Sequence, residues 1–542
     1  MEGLSFITET APVTSDPVRS DIACFIGFVA RRRVEPRQTG ESADDYLQRQ
    51  LPAWLISWLK EQNWVPGWYG RSVEDIVGLN NIPVLIDTWD AFDSLFAWEQ
   101  RPMDSSGSIC DTTLGAAVRS FFARGGRRCY VVRVGDPWPF LTSSKSISKV
   151  SVFKLWAREA LKPAVSVPVA ADRESWFGIG HLFGLPDVSF LSMPDLPEIF
   201  SVESWPQERE IETVVEEHFV EMGSRLEPVT RQSLRSISAP RCDETGFSEW
   251  ASFVNAAGDF LRNNAREVQF IASVPLPACE MSFAGDPDLP YDSLDKRIQI
   301  TAVKVRLARD AQWHETEKIR TAFVQLVYPW IRNRDTARLP GDLAPPDGFL
   351  TGLLAANALT RGTWNSIIRQ PINNIDAVEP VIDHAVVKDL PRPNLKDYIT
   401  LFGPTAGGMR ILSDVTSDVD ESYRPANVSR LMSSLIRAAR VIGEQSVFEN
   451  NGEALWNRLK DRFSDLMTGL WAEGALSGVS ATDAFEVRCD RSTMTQADLD
   501  SGRVIVRVSF TASMPIVRFV VVFALNDGGQ VTLTGKKVEM VS

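Results

Sequence analysis

From Leu455 to Trp471 the apolar residues Leu455, Trp456, Leu459, Phe463, Leu466, Met467, Leu470 and Trp471 recur at helical spacing. A stripe of that width has to be buried. Further on, Val504, Val506, Val508 and Phe510 alternate with polar residues, and Ile516 to Phe523 is strand-like behind Pro515. The change of period from 3.6 to 2 commits this part of the chain to helices followed by a strand pair. A second stripe, Val428, Leu431, Met432, Leu435, Ile436 and Ala439, precedes the first, with Arg430, Arg437 and Arg440 along another face. Asn450 and Glu453 have the spacing of a capping box. Asn526-Asp527-Gly528-Gly529 is a turn signal, and Gln530 to Val541 reads as a last, polar strand.

The first three hundred residues read differently. Ile22 to Val29 is an apolar run of buried-strand length, and Pro83 to Trp89 is a second strand candidate. Leu114 to Phe122 has helical spacing, stops at Gly125-Gly126 and leads into the apolar run Cys129 to Val134. Strand, helix, strand in that order predicts a parallel or mixed α/β sheet. It continues with a helix near Trp176 to Leu182 and strands at 188–191 and 268–271. Residues 1–20 read as an extended arm, interrupted by Pro12 and Pro17, and about 195–265 as a surface insertion. The expected division is an outer α/β region over 21–390, an inner domain over 391–525 and a C-terminal arm over 526–542. The fold class is α+β and multi-domain.

The charge balance narrows the partners. Against 57 Lys and Arg stand 70 Asp and Glu, a formal net charge of −13. That disfavours a protein that neutralises many phosphates, so no nucleic-acid partner is expected. The longest apolar run, Phe519 to Leu525, is too short for a membrane-spanning helix, and the start of the chain has no secretory leader pattern, which points to synthesis and folding in a cytoplasm. The six Cys at 24, 110, 129, 242, 279 and 489 contain no Cys-x-x-Cys and fit reduced, buried thiols.

Catalytic patterns are scarce. No Gly-x-Ser-x-Gly elbow, phosphate-cradling loop or His-Glu-x-x-His occurs. The four His (181, 218, 314, 384) lie far apart in sequence. Gly178-Ile179-Gly180-His181-Leu182-Phe183-Gly184 has the glycine spacing of a dinucleotide loop shifted by one, and Asp44-Asp45 lies in a polar stretch where nothing would raise a carboxyl pKa. No enzyme, cofactor or metal is expected.

Three groups of segments together resemble the sheath proteins of contractile phage tails and related injection machines. The first runs from Asp87-Thr88-Trp89-Asp90-Ala91-Phe92 through Leu114-Gly115-Ala116-Ala117-Val118-Arg119 to Arg133-Val134. The second is Tyr328-Pro329-Trp330-Ile331, Pro345-Pro346-Asp347-Gly348 and Arg361-Gly362-Thr363-Trp364. The third is Phe448 to Trp456, Leu470 to Gly478 and Phe485 to Asp490. The chain departs from the family's usual Pro-Ala-Glu-Phe-Val-x-Phe ending, with Pro515-Ile516-Val517-Arg518-Phe519, and carries a further tail to Ser542.

The resemblance implies a structural subunit that stacks as six-membered rings around an inner tube and shortens to drive that tube through a target envelope. Its partners would be other copies of itself, the inner tube protein, and baseplate and terminator or cap proteins, assembled in a bacterial cytoplasm into a phage tail or phage-tail-like particle. A non-closing lattice needs heterologous contacts, which exchanged strands supply. Phe6, Ile7 and Val13 in the N-terminal arm and Val531, Leu533 and Val538 in the C-terminal arm are the expected exchange residues, and Arg430, Arg437 and Arg440 the expected contact to the inner tube. A sheath-like minor subunit at the baseplate or cap shares every one of these features. An α/β enzyme stands as the competitor from another class.

Overall fold

Ala23–Phe28 is an unbroken run of six buried residues and forms strand β1. Cys24, Ile26 and Phe28 enter one apolar cluster while Ala23 and Phe25 enter another, so the strand is covered on both faces. That double cover is why the run is continuously apolar instead of alternating. The protein is described by a computed structural model over residues 19–540, except 66, 104–107, 141–146, 164–166, 203–205, 212–231, 278–318, 382–394, 447–448, 514–516 and 526–530.

Around β1 stands an eight-stranded sheet. Its other strands are β2 (Pro83–Ile86), β3 (Cys129–Gly135), β4 (Phe190–Ser192), β5 (Gln269–Ser273), β6 (Val324–Tyr328), β7 (Ile399–Thr405) and β8 (Gly408–Ile411). The spatial order is β8-β7-β6-β5-β4-β1-β3-β2. Strands β7 to β3 in that order are parallel, and the two edge strands β8 and β2 are antiparallel. The parallel sheet read from strand, helix, strand is thus present, and the crossover includes helix α1 (Thr113–Ala123). Thr112 caps that helix by accepting the Gly115 N–H, and Gly125, at φ 98°, follows its end as the glycine pair foretold.

Two sequence expectations in this region need correction. The span 195–265 is not one surface insertion. Helix α2 (Glu244–Asn264) buries Phe247, Trp250, Val254, Ala257 and Leu261 in the main core, a helical stripe present in the sequence behind the acidic stretch. The described residues before it include a separate two-stranded antiparallel sheet, Pro206–Ile211 with Gln232–Ile237. The segment near Trp176 is a 3-10 turn, Gly178–Gly184, in place of an α-helix.

The chain divides into two units, and the division falls at Arg430/Leu431, away from the expected break near 391. Strand β7 pairs in parallel with β6, Leu326 opposite Ile399, which extends the large sheet past the expected boundary. Helix α3 (Asp347–Thr360) also belongs to the larger unit. Helix α4 (Ala426–Glu444) starts in that unit and continues into the smaller one.

The smaller unit holds helix α5 (Glu453–Ala472) and a four-stranded antiparallel sheet, β9 (Phe485–Arg488), β10 (Val504–Thr511), β11 (Val517–Leu525) and β12 (Val531–Met540), in sequential order. Leu455, Trp456, Leu459, Phe463, Met467 and Leu470 are buried as the stripe requires, and Val504, Val506, Val508 and Phe510 are buried as the alternation requires. The Phe463 and Phe523 rings stand 5.4 Å apart. The helix is capped by Gly452 without a side-chain bond, so Asn450 does not form the expected capping box. Asn451 instead accepts the Trp456 indole N–H at 2.8 Å.

Candidate assembly surfaces

The three arginines of α4 do not form a solvent-facing stripe. Arg430 is 3% exposed, and its guanidinium makes a bidentate pair with Asp414 at 2.9 and 2.8 Å while Nε donates to the Thr363 carbonyl at 3.1 Å. Asp414 also accepts from Gln325 Nε2, Ser366 Oγ and the Ile367 N–H. Burial would raise the Asp414 carboxyl, but the Arg430 charge and these hydrogen bonds together hold it below the usual carboxylate range. Arg437 is 4% exposed and donates to the Arg19 carbonyl at 2.5 Å and to Ser20 Oγ at 3.3 Å. Both side chains are bonded inside the chain, which corrects the expected exposed row and counts against Arg430 and Arg437 as the inner-tube contact. Arg440 is half-buried.

Phe6, Ile7 and Val13 lie outside the described residues. The C-terminal exchange residues are placed by the backbone of β12, which pairs antiparallel with β11 of its own chain. Val531 stands opposite Leu525, Leu533 opposite Phe523 and Val538 opposite Phe519. Residues 531–540 are therefore not a detached arm but a strand of the chain's own sheet, and the Asn526-Asp527-Gly528-Gly529 turn expectation lies outside the described residues. This leaves β12 and the short β9 as the outer strands of the four-stranded sheet.

In the larger unit, the place where open α/β sheets hold ligands is the crevice beyond the carboxyl ends of the strands where the order reverses. Here that position lies between β1 and β4, and the chain's own side chains fill it. Asp195 Oδ2 accepts the Phe28 N–H at 2.7 Å. A Cβ on Gly27 would meet that oxygen at 2.3 Å, so the carboxylate lies hard against the strand. Nearby, Arg101 and Glu198 form a buried ion pair, with Arg101 Nη1 to Glu198 Oε2 at 2.8 Å, and the Arg101 guanidinium lies over the Trp138 and Phe140 rings. Asp347, at the start of α3, accepts Ser192 Oγ at 2.8 Å and gives its N–H to Ser273 Oγ. Burial pushes Asp195 up to about 7 and Asp347 up to about 6.

His181 is fully buried 5.9 Å from the Trp64 ring, and burial, with Arg71 and Arg173 nearby, pushes its imidazole down to about 3. It is held neutral. Asp414, Asp195, Glu198 and Arg101 were missed at the sequence level because each stands alone in an unremarkable stretch, and only the fold brings partners from distant segments to them. The landmark segments do acquire physical roles. Gly362 sits at φ 89° just before Thr363, whose carbonyl takes Arg430. Gly348 lies against the α1 backbone, where a Cβ would come within 2.4 Å of the Ala117 carbonyl oxygen.

Residues 418–526 match the phage tail sheath C-terminal domain. That span starts just before α4 and runs through β11, leaving β12 beyond its end. A chain of the anti-feeding prophage baseplate in its contracted state is 14% identical, with 94% of each chain covered and a TM-score of 0.53. A chain of the 6-fold symmetrised anti-feeding prophage baseplate is 15% identical, covering 95% of this chain and 96% of that one, with a TM-score of 0.50. The helical sheath of the same prophage in its contracted state is 16% identical, covers 95% and 96%, and has a TM-score of 0.48. The two baseplate chains establish a shared fold over nearly the whole length. No curated protein matches the sequence. Most of the span similar to that sheath domain lies in the smaller unit.

Proposed function

We propose that this protein is the structural subunit of a contractile sheath. It polymerises as stacked hexameric rings around an inner tube and shortens to drive that tube through a target cell envelope. The observation that carries this reading is the sheath domain match over 418–526, joined to an outer strand, β12, that among the described residues is paired on one side only. A strand with one unpaired edge is a template for another chain. We assign that edge to the neighbouring subunit, with the N-terminal segment containing Phe6, Ile7 and Val13 as the incoming strand and Val531, Leu533 and Val538 marking the acceptor. Backbone hydrogen bonds then hold neighbours together while the subunits rotate.

The energy for contraction is stored in the extended lattice and released on triggering, so the subunit itself needs no nucleotide chemistry and acts as a structural element, not an enzyme. Its partners are other copies of itself, the inner tube protein, baseplate proteins and a terminator or cap. Assembly takes place in the bacterial cytoplasm, into a phage tail or phage-tail-like particle. Among the three arginines, Arg440 retains the role of tube contact, and charged contacts of that kind are weak enough to release.

The second reading, a sheath-like minor subunit at the baseplate, is favoured by the anti-feeding prophage baseplates in which similar chains stand. Negative-stain electron microscopy of the purified chain separates the two. Long hollow tubes are expected of the main sheath subunit, whereas uniform monomers that join only a preformed baseplate belong to the minor one.

A further inference from the structure

Helix α4 carries a buried polar stripe. Arg430, Ser434 and Arg437 follow at i, i+4 and i+7 and so share one face, and all three are nearly out of solvent, at 3%, 2% and 4% exposure. Arg430 is accounted for by Asp414. The other two serve a different end of the chain. Ser434 Oγ lies 2.7 Å from Ser20 Oγ, and Arg437 Nη1 donates to the Arg19 carbonyl and reaches Ser20 Oγ. These four residues belong to the smaller unit, although more than four hundred positions separate the pairs. Burying a guanidinium is costly unless it is hydrogen-bonded, and here a bond goes to the main chain at the root of the N-terminal segment.

We propose that Arg437 and Ser434 are an anchor that fixes the root of the N-terminal segment at Arg19–Ser20 to helix α4, so that force on that segment passes into the smaller unit. A bond to a carbonyl holds the backbone whatever the side chain at position 19, which suits a tether more than a recognition contact. The load-bearing part of this proposal rests on the sheath reading, in which the segment joins a neighbour. The anchor itself does not.

Trypsin supplies the test, because it cuts after arginine and has to seat the scissile carbonyl oxygen in its own oxyanion hole. At Arg19 that oxygen is the one Arg437 holds. The full-length chain and the Arg437→Ala/Ser434→Ala double variant are digested in parallel, and the fragment beginning at Ser20 is timed by mass spectrometry. Cleavage follows the population of the open form, so the double variant is expected to be cut at Arg19 about tenfold faster or more. The single variants Arg437→Lys and Ser434→Ala, each of which keeps part of the anchor, fall between. A thermal melt of each variant identifies any loss of the whole fold, and the mild Ser434→Ala change then carries the comparison. Equal rates in all variants overturn the anchor. Tubes from the double variant that match the parent in length and resistance to shear overturn its load-bearing role. A parent chain that forms no tubes defeats the sheath reading instead, while the digestion still decides whether the anchor exists.

Discussion

Arg430 and Asp414 face each other in a two-pronged pair, at 2.9 and 2.8 Å, with side chains 3% and 0% exposed. Sixteen positions separate them along the chain, and together they pin the first turn of α4 to the sheet of the larger unit. Asp414 gathers ligands from β6, from the segment after Gly362 and from α4, so three separate pieces of chain converge on one carboxylate.

Removing one partner of this pair strands the other charge out of water. Arg430→Met is expected to destabilise the larger unit by about 3–5 kcal/mol, while Arg430→Met combined with Asp414→Leu costs less than the single change. Urea denaturation of the three chains gives the comparison. The Asp414 pKa is depressed in the folded state, so its contribution is present above the ordinary carboxylate range and is lost as pH falls through the folded value.

Asp195 has the opposite sign. Burial holds its folded pKa at about 7, above the ordinary aspartate value of 3.8, so the protonated form is the one the fold favours. Its contribution is complete below the unfolded value and disappears as pH rises through the folded one. Asp195→Asn keeps an acceptor for the Phe28 N–H and removes the titration. The variant is expected to gain on the parent chain steadily from pH 5 to pH 8, reaching on the order of 3 kcal/mol, with melting temperature against pH as the readout. A constant offset between the two curves would show that the carboxyl is not held protonated.

Gly348 sits where α3 crosses α1, and a Cβ there would lie 2.4 Å from the Ala117 carbonyl oxygen and 2.5 Å from its Cα. Neither atom belongs to a side chain that can swing away. Gly348→Val is expected to cost about 3 kcal/mol by forcing the helices apart, whereas the same change at the open Gly469, inside α5 with no neighbour within 4 Å, is expected to be neutral or to gain roughly 0.3 kcal/mol, because valine has the better helix propensity. Parallel thermal melts of the two variants measure the contrast.

Local patterns were legible wherever one element buries one face. The α5 stripe, the β10 alternation and the α1–glycine–β3 sequence appear where periodicity and turn chemistry put them. What was hidden depends on long-range pairing. Strand β7 joins β6 across some seventy residues, and nothing in Ile399–Thr405 itself names that partner. The arginines of α4 misled for a related reason. A charged row on an amphipathic helix ordinarily faces water, and the acceptors that bury this one, Asp414 and the Arg19 carbonyl, come from segments without a signature of their own. The tail misled in the opposite way, since a polar strand at this place suits a neighbour's sheet as well as its own, and here it pairs with β11.

The proposed sheath assembles through the outer edge of β12. Cryo-electron microscopy of tubes grown from the purified full-length chain tests it most directly. Sixfold rings are expected, in which the N-terminal segment of one subunit adds as a strand beside residues 531–540 of the next, and no tubes are expected from a chain ending at Leu525. Chains that remain monomeric at every concentration, or tubes whose β12 edge pairs with nothing, would contradict it.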